Sequence, residues 1–597
     1  MKKIVLVIFT AILLPANMLL LSGCSIINDF FQSESSRQNR QDQTSEGYDD
    51  TDAETPNVNT GTSGANLFGS SAVDGDSIKD ASDLFSSKDF EADYDENKSV
   101  LIKLEGNTAT SSSEKVVIFE NTVTINDEGT YILSGTFDDG MIIVDAEKKD
   151  KVHLVLNNVS VHSSASSPIY IRQADKVFIT VASDTVNVLS NGGAFAALDE
   201  NNIDAVIFSK EDLTLNGSGR LVISSPAGHG IVSKEELVLT GGIYEINSLY
   251  HGLSGEDSIC IANAEVRITA GKDGIHAENE DDDSPDFIYI QTGTFHITSE
   301  GNGISASGQM LIDGGSFDMV CGEEKNDDNS RNVDKSAKGI RAGGNLIING
   351  GSFNIASSDD AVHSDVSVIV GGGLFEIATG DDGFHADDII RIYSADINIT
   401  ESYEGLEGLH VEVSGGNITL YAKDDGINAA GGNDRSGFGG RGNDNFAGDD
   451  EENPQEGSIV ISGGELHIKA EGDGIDANGT LSITGGRTLV CCTNKGYTSV
   501  LDFDKSGIIT GGTFIGTGTS RMARGFSRSK QGVVTAKTDM QAAGTAITLK
   551  DRDDNTVISE YVPEFDFSFV ILSSPDIVSG NAYVLDVGSS AEEIIAD

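Results

Sequence analysis

Carboxylates recur near the middle of the chain at an interval of about 22 residues: Asp359–Asp360, Asp381–Asp382, Glu404 with Glu407, and Asp424–Asp425. If these units stack, the acids share one edge. Carboxylates held that close repel, and either one takes up a proton or a cation sits between them. A hard divalent cation with about six to eight oxygen ligands answers the demand, and calcium is the natural choice outside a cell. Asp365 and Asp387 lie a few residues on and extend the ligand set. Asp and Asn also build turns by themselves. The doubling favours a cation, because a turn needs only one such residue. Three residues after the acids runs a second series, His363, His385, Glu407 and Asn428, with His276 earlier in the same phase. Stacked histidines suit transition-metal or general-base chemistry, and beside carboxylates they serve equally as structural partners.

Stacking requires a repeat, and the chain has one. The signature is a polar residue, Gly or Ala, an apolar residue and another polar residue. Its copies are HGIV, HGLS, DGIH, NGIS, KGIR, DAVH, DGFH, EGLE, DGIN and DGID. A second signature runs in phase: an alternating strand, a Gly-Gly turn and another strand, as in LIINGGSFNIA and VIVGGGLFEIA. Apolar and polar residues alternate with period two, so each unit is strand rather than helix. A repeat of this length is the mark of a solenoid. Adjacent rungs then sit about 4.8 Å apart. Polar insertions, among them 431–452, lengthen some units and read as a disordered loop.

Within this frame, KVHLVLNNV, IFSKEDLTLNGSG, HGIVSKEELVLTGG, SYEGLEG and DDGINAAGG are specific. So is the ending GTAITLKD, VISEYVPE, FSFVILSSPDIVSGNAYVL. Together they resemble the bacterial carbohydrate-binding β-helix family, first described for a cellulose- and pectin-binding surface protein of a cellulolytic clostridium. The resemblance runs from about residue 98 to the C-terminus. It implies an all-β, right-handed parallel β-helix like that of pectate lyases, calcium at the turns, and polysaccharide binding without an established cleavage reaction. The expected metal ligands are Asp359, Asp360, Asp365, Asp381, Asp382, Asp387, Glu404, Glu407, Asp424 and Asp425. His363, His385, Arg391 and Tyr403 are the expected contacts to sugar. The His and Asp of the motif His385-Ala386-Asp387 are expected to point outward into solvent, and its Ala inward.

Composition narrows the partners. The 597 residues include 70 Gly, 8 Pro and no Trp, with 95 acidic against 39 basic residues and a formal net charge of −56. Nucleic acid is excluded, because phosphate binding needs a basic footprint. The absence of Trp argues against a flat platform for crystalline cellulose. Lys2, Lys3 and an apolar stretch precede Leu21-Ser22-Gly23-Cys24, which resembles a bacterial lipobox. Residues 1–23 are therefore expected to be a signal peptide, with Cys24 lipidated and the protein held on the extracytoplasmic face of the cell membrane; an uncleaved membrane anchor is the alternative. Residues 24–97 read as a disordered acidic tether, 98–515 as the solenoid and 516–597 as a small β-module. The other four cysteines suggest no disulfide framework, and a monomer is expected.

Three functions remain open. The chain could bind polysaccharide through calcium. It could be a calcium-dependent lyase, with Lys338, Arg341 or Arg391 as base. It could be an adhesin without a small ligand.

Overall fold

Alternation of apolar and polar residues produces strands almost throughout the computed structural model, which describes residues 84–196, 198–199, 201–279, 286–322, 336–430 and 456–597. The signal peptide, Cys24, most of the expected tether and the insertion at 431–452 lie outside the described residues. Residues 83–597 form one unit. It is all-β and solenoid-like, and helix among the described residues is confined to a short 3-10 turn, Ser87–Phe90. No helix of the described residues is long and apolar enough to cross a membrane.

A representative rung comprises the strands Val362–Ser364, Ser367–Val370 and Leu374–Thr379. Each pairs in parallel with its counterpart one unit later: Val362 opposes Phe384, Val368 opposes Ile390, and Phe375 opposes Ile397. A slip of one residue would turn the core face outward, so the apolar alternation holds the register. Phe295, Phe317, Phe353 and Phe375 stack through the interior at 4.7, 4.7 and 4.6 Å between ring centroids. That spacing matches the separation of hydrogen-bonded strands, about 4.8 Å.

The two kinds of repeated glycine serve different needs. Gly373, the last glycine of its turn, has φ 120°, a conformation that disfavours any side chain. Gly383, in the Asp-Gly signature, does not adopt left-handed φ. A Cβ there would lie 2.6 Å from the carbonyl oxygen of Gly405 on the next rung. The signature glycine is thus set by close approach of backbones, not by a left-handed Asp-Gly turn.

Both ends of the parallel stack change to antiparallel pairing, which withdraws the open strand edge from further addition. Val100–Gly106 pairs with Thr108–Ser111, and Thr513–Gly518 pairs with Phe567–Ser573. A separate four-stranded antiparallel sheet of Ile547–Asp551, Thr556–Tyr561, Ala582–Val587 and Ser590–Ile595 completes the C-terminal region. Cys260, Cys321, Cys491 and Cys492 are buried free thiols.

The end of the expected tether behaves otherwise than its average composition suggests: residues 84–97 run along the solenoid surface. Asp89 is 2% exposed and accepts from Thr214 Oγ1 at 2.6 Å, with Lys176 Nζ at 3.0 Å. Tyr94 packs on Ile132, Val155 and Ala182, and the Phe85 ring lies 5.7 Å from that of Tyr289. A few aromatic residues in a polar stretch are enough to dock it. Asp89→Ala is expected to cost about 1–3 kcal/mol, because Lys176 and Thr214 lose their buried partner. The midpoint of urea unfolding measures this, and an unchanged midpoint would show the segment to be loosely held.

Candidate metal centre

The acids sit where the third strand of one rung turns into the first strand of the next. Register aligns Arg341, His363, His385, Glu407, Asn428 and Asp476 in one column of first strands. Three residues earlier stand Lys338, Asp360, Asp382, Glu404, Asp425 and Asp473. In this second column one carboxylate oxygen has a structural task. Asp360 Oδ1 accepts the backbone N–H of Asp382 at 3.0 Å, Asp382 Oδ1 accepts that of Glu404 at 3.0 Å, and Asp425 Oδ1 that of Asp473 at 2.5 Å. The turn-forming and charge-bearing roles are therefore divided between the two oxygens of the same aspartate.

The expected open edge is in fact buried. Asp360 and Asp382 are 0% exposed, Asp381 and His385 1%, Glu404 and Glu407 4%. The expectation that His385 faces solvent is corrected: its ring points away from the apolar core but lies between carboxylates of its own and the next rung. Asp382 Oδ2 is 3.2 Å and Glu407 Oε2 3.0 Å from His385 Nδ1.

Charge divides the column into two halves. In the first, protein cations already balance the acids. Lys338 Nζ pairs with Asp360 and lies 3.2 Å from Asp359 Oδ2. His363 bridges Asp360 and Asp365, at 2.8 Å to each, and Arg341 also pairs with Asp365 at 2.8 Å. Burial works against the charge of Asp360, but the His363 hydrogen bond and Lys338 outweigh it and hold its carboxyl far below the usual range. Asp360 and Asp365 are thus ion-pair partners, with Lys338 placed where a metal would have been expected.

The second half lacks such balance. Burial, then Glu407, pushes Asp382 well above the usual carboxylate range. Burial, then Glu407, Asp382 and Asp425, does the same to Glu404. Burial, then Asp473 and Asp424, raises Asp425, and Asp473 is pushed up to about 7, first by burial. Burial would lower His385, yet Asp382, Asp387 and Glu407 outweigh it and keep the ring protonated. One imidazolium does not neutralise this many acids. Glu404 Oε2 and Asn428 Oδ1 are buried and have no hydrogen-bond partner among the described residues. Orphaned oxygens amid surplus negative charge are what a calcium ion would use, so the donor set fits that ion. Sequence reasoning put Asn428 in the column but not among the ligands; its phase with Glu407 was the available signal.

The remaining expected residues are more scattered. Asp387 lies 3.5 Å from His385 Nε2 and is half-exposed. Tyr403 donates its hydroxyl to Asp424 Oδ2 at 2.7 Å. Arg391 donates to Glu412 Oε2 at 2.7 Å, along the second strand. Tyr244 and Phe375 are fully buried in the core. An open groove elsewhere on the surface presents Asn247, Arg267, Thr269, His296, Thr298 and Asp318.

A family model described as a carbohydrate-binding domain-containing protein matches residues 119–383 and again 381–562. A relative from Acetivibrio thermocellus with the same description is 37% identical over 127 residues, which is 21% of this chain and 44% of the relative. The chain thus spans less than half of that relative's length. A solved structure described as the polysaccharide lyase-like protein from C. thermocellum, gadolinium derivative, aligns at 29% identity with a TM-score of 0.38. That alignment covers 42% of this chain and 96% of the other.

Proposed function

The chain belongs to the family of carbohydrate-binding domain-containing proteins, and on that premise we propose that it is a lipid-anchored surface protein that binds polysaccharide through a calcium-loaded, right-handed parallel β-helix. The hand follows from the near-universal right-handed connection of parallel strands. The single observation that carries the metal is the surplus of buried carboxylates at Asp381, Asp382, Glu404 and Glu407, beside the half-buried Asp425, with orphaned oxygens on Glu404 and Asn428. Calcium there would tie adjacent rungs together and so hold in place the surface that acidic sugars such as polygalacturonate would contact. Neutral glucans such as cellulose would be held by hydrogen bonds along the groove of Asn247, Arg267 and His296.

Binding is favoured over cleavage by the state of the basic residues. A lyase base must give up its proton near working pH. Burial would lower Lys338, but Asp360 and Asp359 outweigh it and hold the ammonium above its ordinary value. Arg341 and Arg391 are each paired to a carboxylate. The test is retention on insoluble polygalacturonate and cellulose, with calcium and after chelation, alongside an assay for unsaturated product. Retention that chelator abolishes, without unsaturated product, is expected. Unsaturated product would establish the lyase, and no retention on any polysaccharide would establish the adhesin.

Anchoring rests on Leu21-Ser22-Gly23-Cys24. Cys24→Ala is expected to leave the precursor unprocessed or release the protein from the membrane fraction. Normal cleavage with unchanged membrane attachment would refute the lipid.

A further inference from the structure

A different cluster lies further along the same column, towards the N-terminus. His276 is in register with Ser305, Arg341 and then His363, so it stands three rungs from the acid-rich turns. Its ring stacks on His251 at 4.0 Å between centroids, and His251 stacks on His229 at 5.1 Å. Asp273 reaches between the first two. We propose that His251, Asp273 and His276 form a second metal site, for a divalent transition ion of the zinc class rather than calcium.

The spacing of the donor atoms fits such an ion. Asp273 Oδ2 lies 2.9 Å from His276 Nδ1 and 3.5 Å from His251 Nδ1. Ligands about 2.1 Å from one metal ion sit about 3.0–3.4 Å from each other, depending on geometry. His276 Nδ1 is buried and makes no well-directed hydrogen bond among the described residues. The opposite ring nitrogen, Nε2, lies 3.0 Å from Glu278 Oε2. A carboxylate on the far nitrogen is the usual outer partner of a metal-bound histidine: it takes the N–H and turns the other lone pair to the metal. Asp273 is oriented as well, since its Oδ1 accepts the backbone N–H of Asn302 at 2.6 Å. Metal entry turns the stacked rings of His251 and His276 toward the ion, exchanging part of their stack and the 3.2 Å hydrogen bond from the Asp273 backbone N–H to His251 Nδ1 for coordinate bonds. Two imidazoles with one carboxylate suit zinc, cobalt or nickel, whereas calcium takes an all-oxygen shell. Three protein ligands leave a coordination position for water. The competing arrangement is an imidazolium of His276 held between Asp273 and Glu278 without metal.

Calorimetric titration of the metal-stripped full-length chain with zinc, in excess calcium, separates the two. Cobalt(II) serves as a spectroscopic stand-in, because its visible absorption reports nitrogen ligation. The expected result is a saturable zinc event that His276→Ala and His251→Ala abolish. Glu278→Gln should weaken it by about 10–100-fold, and Glu404→Gln should leave it unchanged. Should His276→Ala not fold, the half-exposed Glu278 position decides the matter. Absence of any zinc event in the natural protein, or a Glu278→Gln variant that titrates like it, overturns the proposal and leaves the ion triad.

Discussion

Stripped of calcium, the protein is expected to lose stability as pH rises through neutrality and to recover it when calcium is restored. The sign follows from the raised carboxyls. Unfolded, Asp and Glu titrate near about 4. Folded, Asp382, Glu404 and Asp425 titrate well above that, and Asp473 at about 7. Between the two values the folded state holds more protons than the unfolded state, so raising pH favours unfolding. This part of the stability is present below about pH 4 and is lost as pH passes through the folded values. Calcium replaces the protons. Each occupied site adds about 2.7 kcal/mol when free ion stands at a hundredfold excess over Kd. The gain in melting temperature on adding calcium should therefore be small near about pH 5 and large near about pH 8, since deprotonated ligands are needed. Polysaccharide retention should follow the same pH course. Melting curves that coincide with and without calcium at every pH would mean that the acids serve only their turns and one another.

Neutralising a single acid of the unbalanced half should have opposite effects in the two metal states. Glu404→Gln keeps the shape of the side chain and the oxygen that accepts from Asn428 Nδ2 at 3.1 Å. Without calcium, at a pH high enough for Glu404 to lose its proton, it removes a buried charge that Glu407, Asp382 and Asp425 oppose, and stability should rise by about 1–4 kcal/mol, the range for replacing a buried ion pair by uncharged residues. With calcium it removes a ligand, and the ion's affinity should fall by at least about tenfold, comparable to the loss of an outer-shell partner. Asp382→Asn should act in the same direction and more weakly, because His385 already compensates part of its charge. Asp360→Asn is the contrasting variant: it strands Lys338 and His363 and should destabilise the protein whether or not calcium is present. Paired unfolding curves with and without calcium decide this. Glu404→Gln destabilising in both states would place the carboxylate in the fold's own hydrogen bonding rather than at a metal.

Within one column, then, residues of similar type carry different duties. The doubled acids at 359–360 and at 381–382 look alike in the sequence. The first pair meets Lys338, one rung earlier, and is ion-paired. The second meets Glu404 and Glu407 and is not. Nothing local to either pair distinguishes them, because the deciding partner is set by the neighbouring rung. The partners of Arg391 and Tyr403 are set in the same way: Glu412 and Asp424 come from the following rung.

The sequence by itself determined the repeat, the strand content and the register. Side chains alternate with period two and rungs recur about every 22 residues, so each position's column follows from counting. It also showed where glycine recurs, although not why: close approach of backbones at Gly383 and a left-handed turn at Gly373 leave the same letter. Only the tertiary structure decided burial and charge balance. It buried His385, turned Asp360 into an ion-pair partner, left Glu404 and Asn428 with unpaired oxygens, and docked residues 84–97 through Asp89. Each of these depends on groups that come together from separate rungs. An aspartate's ionisation is governed by how much water is removed and which charges lie within a few ångströms, and a local pattern carries neither quantity.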